Sequence, residues 1–364
     1  MGNLILNSLE IRNFRGFQHL TIEHLGRVNL IVGKNNIGKS NLLEALQLYA
    51  SRASTPTFIW EIMRSRREIK RPFVNMRDML ATLKYLFYGR NEIKPGLQPI
   101  QIGPINAPQE ILSITIDWSI SELREGTIHT RPLEQGEDYT TDNLIPRFTI
   151  QAAGVALSYP IDPSFPQGIL RLNSNEILCL LTPANGLSEQ HLTELWDGIA
   201  LTKLEADALA ALRLIAPGLL DLNFVSTPLS GGDRVPVVKI TDNDEPLPLY
   251  SLGDGMLRTL GISLALVNAR DGILLIDEFE NGIHYSVQTE LWQLIFQLAH
   301  RLNVQVFATT HSWDCIEGFQ KAAQEDKQNE GLLIRLESKK DDISVTLFDE
   351  RRLAIATREQ IEVR

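Results

Sequence analysis

The sequence predicts an α/β fold built on a mixed sheet whose strands deliver functional loops at their carboxyl ends, and three segments predict it. Val28-Asn29-Leu30-Ile31-Val32, Gly272-Ile273-Leu274-Leu275-Ile276 and Asn303-Val304-Gln305-Val306-Phe307-Ala308-Thr309-Thr310 are short and mostly apolar. Such runs suit parallel strands buried on both faces. Each runs directly into residues that can do chemistry, and in open α/β sheets ligands bind at that edge.

The first run enters Gly33-Lys34-Asn35-Asn36-Ile37-Gly38-Lys39-Ser40, a complete G-x-x-x-x-G-K-S phosphate-binding loop, and the helical pattern Asn41-Leu42-Leu43-Glu44-Ala45-Leu46 follows. Glycines let successive backbone N–H groups curl around a β-phosphate while the helix offers its positive N-terminus. Lys39 then neutralises the β- and γ-phosphates and the Ser40 hydroxyl ligates Mg2+. A Gly-rich turn with a solvated lysine would not need a strand before it and a helix after it. The expected ATP contacts are therefore Gly33, Asn35, Asn36, Ile37, Gly38, Lys39, Ser40 and Asn41.

The second run ends in Asp277-Glu278. Asp277 is placed to complete the Mg2+ shell, and Glu278 is the candidate general base, since a carboxylate beside the γ-phosphate can orient and deprotonate the attacking water. Strand-terminal Asp-Glu pairs also cap helices, but beside a phosphate loop hydrolysis is the stronger reading. The third run leads into His311-Ser312. A lone histidine at a strand end is usually a structural hydrogen-bonder. Here the order of the three runs brings the imidazole to the same sheet edge, as a sensor of the γ-phosphate.

With these residues in this order the chain resembles the ATP-binding-cassette ATPases, in which a switch histidine follows the Asp-Glu strand. The resemblance implies a signature loop of Ser-Gly-Gly type that opens a helix and serves the partner subunit's nucleotide. Leu229-Ser230-Gly231-Gly232-Asp233 fits by letter but precedes Val235-Pro236-Val237-Val238-Lys239-Ile240, a Pro-interrupted strand pattern, and reads as a hairpin turn. Ser251-Leu252-Gly253-Asp254-Gly255 opens the helical run Met256 to Val267 that leads into the Asp277 strand. Order and helix favour this one, so Ser251, Gly253 and Gly255 are the expected trans contacts.

The opening Ile11-Arg12-Asn13-Phe14-Arg15-Gly16-Phe17, the phosphate loop and the run Asp277-Glu278-Phe279-Glu280-Asn281-Gly282-Ile283-His284 are similar to the RecF/SMC-like branch, and to the ATPase part of the OLD (overcoming lysogenization defect) family in particular. That likeness implies a P-loop NTPase of ABC-ATPase head type, an ATP-switched homodimer or higher assembly, a role with DNA in anti-phage defence or repair, and Arg15 as a further nucleotide contact. Many OLD proteins carry a Toprim nuclease. The residues after His311 hold no such unit, so a nuclease, Toprim-type or other, is expected in trans. No glutamine loop is recognisable in residues 85–125, where Gln98 and Gln101 are the candidates. An ABC transporter subunit is the alternative, disfavoured by the degenerate signature and the Arg12-Asn13-Phe14-Arg15 opening. A P-loop kinase would need neither the Ser251 loop nor His311.

Composition fits a cytoplasmic protein with a sizeable core. The 364 residues are 43% hydrophobic, mean hydropathy is −0.08, and no apolar run reaches membrane-spanning length. No secretory signal opens the chain, and Leu6 breaks the myristoylation pattern. Two cysteines, Cys179 and Cys315, make no disulfide framework. A net charge of −10 opposes uniform coating of nucleic acid. Arg64, Arg66, Arg67, Lys70, Arg71 and Arg77 form one basic cluster, read first as a solvated face pairing with Glu61, Glu68 and Asp78 and second as a phosphate or docking patch.

The expected organisation has three parts. Residues 1–150 form a first ATPase lobe in which Ile111 to Trp118 and Arg147 to Ile150 alternate as antiparallel strands. Residues 151–225 are a linker and a helical insertion lobe with its pattern from Leu187 to Leu222. Residues 226–364 form a second ATPase lobe carrying the signature loop, the Asp-Glu strand and the switch histidine.

Overall fold

The structure is a computed structural model that describes residues 4–52, 55–69, 71–124, 127–134, 136–139, 143–161, 176–226, 234–241, 243, 245–326, 328, 330–339 and 342–359. From the amino end, β1 (Leu9–Phe14) and β2 (Phe17–Ile22) precede β3 (Val28–Val32) and α1 (Lys39–Ser51), then α2 (Thr55–Ser65) and α3 (Met76–Leu83). Next come β4 (Ile100–Gly103), β5 (Leu112–Arg124), β6 (Thr127–Pro132), β7 (Leu144–Ala152), β8 (Val155–Pro160) and β9 (Cys179–Thr182). Helices α4 (Glu189–Asp197) and α5 (Lys203–Ile215) lead to β10 (Leu219–Ser226), β11 (Arg234–Ile240) and β12 (Leu247–Pro248). The last third alternates: α6 (Asp254–Asn268), β13 (Ile273–Ile276), α7 (Tyr285–Arg301), β14 (Gln305–Thr309), α8 (Trp313–Glu325), β15 (Gly331–Lys339), β16 (Asp342–Phe348) and α9 (Glu350–Arg358).

The three apolar runs become neighbours in one mixed sheet of order β16-β15-β3-β14-β13-β9. Within it β15, β3, β14, β13 and β9 are parallel, and β16 is antiparallel to β15. Strand side chains alternate between faces, so the continuous apolar runs feed two cores. Leu30, Leu274, Ile276, Val306 and Ala308 enter one, shared with α4 to α8. Ile31, Ile273, Leu275 and Phe307 enter the other, shared with α1 to α3 and the antiparallel sheet. That second sheet, of order β2-β1-β4-β5-β7-β8 with β6 beside β5, contains the antiparallel pair expected from Ile111 to Trp118 and Arg147 to Ile150, in register at Thr115 and Thr149.

Both expected divisions fall within strands. The division after residue 150 cuts β7, and the one after residue 225 cuts β10. The expected helices form as α4 and α5, and their Leu192, Trp196, Leu209 and Leu212 share a core with Leu260 and Leu264 of α6. They pack on α6 and α7 and on the β10-β11 hairpin, where the Trp196 and Phe224 ring centroids lie 5.9 Å apart. The segment Leu229 to Asp233 lies outside the described residues; the strands flanking it, β10 and β11, pair antiparallel as a hairpin would.

Candidate active site

The phosphate loop is shaped by positions that tolerate only glycine. Gly33 has φ 147°, and a Cβ there would stand 2.6 Å from the Leu336 carbonyl oxygen of β15. Gly38 has φ 109°, and a Cβ there would come 3.1 Å from the Phe17 ring. Side chains are strained at such φ values, so the loop keeps its backbone bare toward any phosphate. Lys39 Nζ donates to the carbonyls of Gly33 at 2.7 Å and Lys34 at 3.3 Å. Burial holds the Lys39 pKa below its ordinary value, while Glu280, Asp277 and Glu278 act in the opposite direction. An ammonium desolvated beside neutral carbonyls is ready to exchange them for a polyphosphate.

Ser40 and Asp277 are 237 residues apart in sequence, yet the Ser40 hydroxyl donates to the carboxylate at 3.1 Å. The β13–β14 register sets this up: Thr309 Oγ1 donates to Asp277 Oδ1 at 2.7 Å and accepts the Glu278 N–H at 2.8 Å. One hydroxyl and one carboxylate suit Mg2+, which keeps several waters and takes its remaining ligands from substrate phosphates. Among the described residues no group of three or more His, Cys, Asp or Glu could hold a metal by itself, so the nucleotide would have to bring ligands of its own.

Glu278 takes φ 48°, a left-handed conformation costly for this residue type and concentrated at functional sites. Its Oε2 accepts from Asn281 Nδ2 at 2.7 Å, and Asn281 also donates to the Ala184 carbonyl at 3.2 Å. Below the turn, buried Arg258 of α6 donates to the carbonyls of Asp277 at 2.6 Å and Glu278 at 3.1 Å, and to that of Pro183. His311, half exposed, pairs through Nδ1 with Glu280 Oε1 at 3.0 Å. The structure thus brings Lys39, Ser40, Asp277, Glu278 and His311 to one sheet edge. Sequence reasoning missed Thr309, Arg258, Asn281 and Glu280. The one signal for Arg258 was a cation inside an otherwise apolar helical run.

The structure departs from expectation at Arg15. Its guanidinium is buried and committed to carboxylates, Glu44 at 2.6 Å and Glu68 at 2.7 Å, which leaves it no spare charge for a nucleotide. Asn41 follows: its side chain accepts from Arg66, which also pairs with Glu44. The basic cluster therefore docks onto α1 through Arg66, while Arg71 lies 3.7 Å from Asp78 and Lys70 lies outside the described residues. Gln98 is exposed, and its carbonyl accepts from Asn13. Gln101 pairs in β4 opposite Arg12. Neither reaches the residues gathered around Asp277 by any described hydrogen bond.

The Ser251 loop lies at the surface. Ser251, Gly253 and Asp254 are exposed, and the N-cap Gly253, with φ 95° and ψ 164°, provides no side-chain cap to the 15-residue α6. Gly255 packs on the turn after Glu278, where a Cβ would come 2.5 Å from the Gly282 carbonyl oxygen. The uncapped N–H groups and helix dipole at this end favour an anion.

Comparison with known proteins points to the same fold. Residues 5–143 match the family described as "AAA ATPase domain", and residues 207–314 match "AAA domain, putative AbiEii toxin, Type IV TA system". An "ATP/GTP phosphatase" of Helicobacter pylori is 26% identical over 340 residues, covering 86% of this chain and 87% of the relative. The "DNA replication and repair protein RecF" of Picosynechococcus is 44% identical over 48 residues, 13% of this chain and 12% of that protein. The crystal structure of an Smc head bound to the C-winged helix domain of ScpA superposes with a TM-score of 0.50 at 11% identity, covering 98% of this chain and 99% of that one. The chain has an α/β P-loop NTPase fold of the ATPase-head kind and is an ATP hydrolase.

Proposed function

We propose that the chain is a Mg2+-dependent ATPase that works as an ATP-switched dimer in a DNA-associated process such as anti-phage defence or repair, with a nuclease partner supplied in trans. The carrying observation is the contrast between a phosphate loop already paired to its metal-binding carboxylate and a signature helix whose exposed N-terminus no side chain caps. A second copy of the chain, placed head to tail, would bring that helix end to a γ-phosphate. The names of the Helicobacter pylori and RecF relatives support nucleotide hydrolysis and a DNA context. Among the described residues no helix is long and apolar enough to cross a membrane.

In this reading Lys39 leaves the carbonyls of Gly33 and Lys34 for the β- and γ-phosphates. Ser40 and Asp277 hold Mg2+, which neutralises phosphate charge when bound. Glu278, aimed by its strained backbone and by Asn281, orients and deprotonates the attacking water. His311 contacts the γ-phosphate.

Mixed subunits test the shared site. Lys39→Ala chains keep an intact signature, and Ser251→Arg chains keep ATP binding. Each alone should be nearly inactive, and the mixture should regain up to one working site per heterodimer. If heterodimers are present and activity does not exceed the sum of the parts, the shared-site reading fails. Sizing of Glu278→Gln with and without ATP and Mg2+ supplies the independent readout: a nucleotide-dependent dimer is expected.

A further inference from the structure

We infer that Glu280 is the positioning residue of the switch histidine, setting the tautomer and direction of the His311 imidazole. The inference rests on His311 acting at the γ-phosphate, as proposed above.

The geometry is local and specific. Glu280 Oε1 stands 3.0 Å from His311 Nδ1 and also accepts the His311 backbone N–H at 3.0 Å. One carboxylate oxygen therefore fixes both the backbone turn and the ring. An ionised carboxylate only accepts hydrogen bonds, so Nδ1 must be the donor. A neutral ring held this way carries its single proton on Nδ1 and presents Nε2 as a bare acceptor. To meet a phosphate oxygen, Nε2 must take up a proton, and the resulting positive ring then lies between Glu280 and the phosphate. Carboxylate-backed histidines elsewhere owe their tautomer and ring orientation to this arrangement.

Burial explains why the pair holds. The Glu280 side chain is 9% exposed and that of His311 is 50% exposed, so the anchor is inside and the imidazole remains accessible. Glu280 Oε2 is buried with no hydrogen-bond partner among the described residues. Such an oxygen costs stability and is the kind of group retained for a use. Of the carboxylates acting on Lys39, Glu280 is the strongest. Glu280 therefore acts on both Lys39 and His311, the two groups that a γ-phosphate would engage, and arriving phosphate charge competes with it for both.

The chain positions matter as much as the contacts. Glu280 belongs to the turn after β13, and His311 follows β14. The parallel register that sets Ile276 against Ala308, together with the bond from Phe279 N to the Thr309 carbonyl at 2.9 Å, brings the two segments alongside. Phe279, stacked on Trp292 with ring centroids 4.0 Å apart, anchors the turn in the core, so Glu280 is held from a rigid base.

A double-mutant cycle and a spectroscopic measurement test the assignment on the full chain. Glu280→Gln is nearly isosteric and should leave the fold intact, checked by thermal melting. It should lower kcat about tenfold with KM changed less than about twofold. In a His311→Ala background the same substitution should lower kcat less than about twofold. Independent, multiplying effects of the two substitutions would overturn the inference. Nitrogen-15 NMR of the wild-type imidazole without nucleotide should show the proton on Nδ1. A ring protonated on Nε2 alone would overturn it without any variant. If His311→Ala itself leaves kcat unchanged, the proposed role of His311 fails, whereas slow His311→Ala with normal Glu280→Gln sinks only the present assignment.

Discussion

Lys39 and Arg15 are two cations on neighbouring turns, both read from the sequence as nucleotide contacts, and the structure treats them in opposite ways. Lys39 rests on two carbonyl oxygens; neutral acceptors give it up readily to phosphate. Arg15 is clasped by Glu44 and Glu68, with Arg66 closing the same network onto α1. Buried charge pairs are held firmly because removing one partner strands the other. A cation at a phosphate-binding edge is thus available to a ligand only in proportion to what the fold has left it to bind.

Four experiments can break or sharpen that contrast. Lys39→Ala should weaken ATP binding by about a thousandfold, since a charge-assisted bond to phosphate is lost, while the denaturation midpoint without nucleotide stays put; calorimetric titration with ATP decides it. Arg15→Ala should do the reverse, costing about 3 kcal/mol in urea unfolding with ATP affinity changed less than about threefold. A large affinity loss from Arg15→Ala without loss of stability would restore the sequence reading of Arg15 as a nucleotide contact.

Glu278→Gln should keep ATP affinity and lower turnover by roughly a hundredfold, and wild-type turnover would remove Glu278 as the base. Asn281→Ala, which deletes one hydrogen bond to that carboxylate, should lower kcat about fivefold with affinity unchanged. The smallest effect is the sharpest check on whether the strained turn needs an external brace.

Much of the sheet and the centre of the site were legible because buried parallel strands write themselves as continuous apolar runs, and β3, β13 and β14 each do so. What could not be read is whatever depends on which strand lies beside which. Thr309 looked like the end of a strand; only its place beside Ile276 and Asp277 makes it a clasp for the carboxylate. Arg258 sits in a largely apolar helical run, and its placement under the Asp277 turn follows from packing alone. The four-residue β9 closes the sheet edge, too short to stand out from the turns around it. Arg15 shows the reverse case: the resemblance supplied its role, and the carboxylates that pair with it come from α1 and from the loop after α2, which no local pattern connects to it.

The close approach of Leu336 to Gly33 has a consequence for the order in which the molecule is made. Strand β3 and its loop leave the ribosome early, but their neighbours on either side, β14 and β15, pair with Val28 through Val306 and Gly331. Until those late residues emerge, the phosphate loop has no walls, and contacts so distant in sequence form slowly. The nucleotide site therefore closes only after β14 and β15 have both been made.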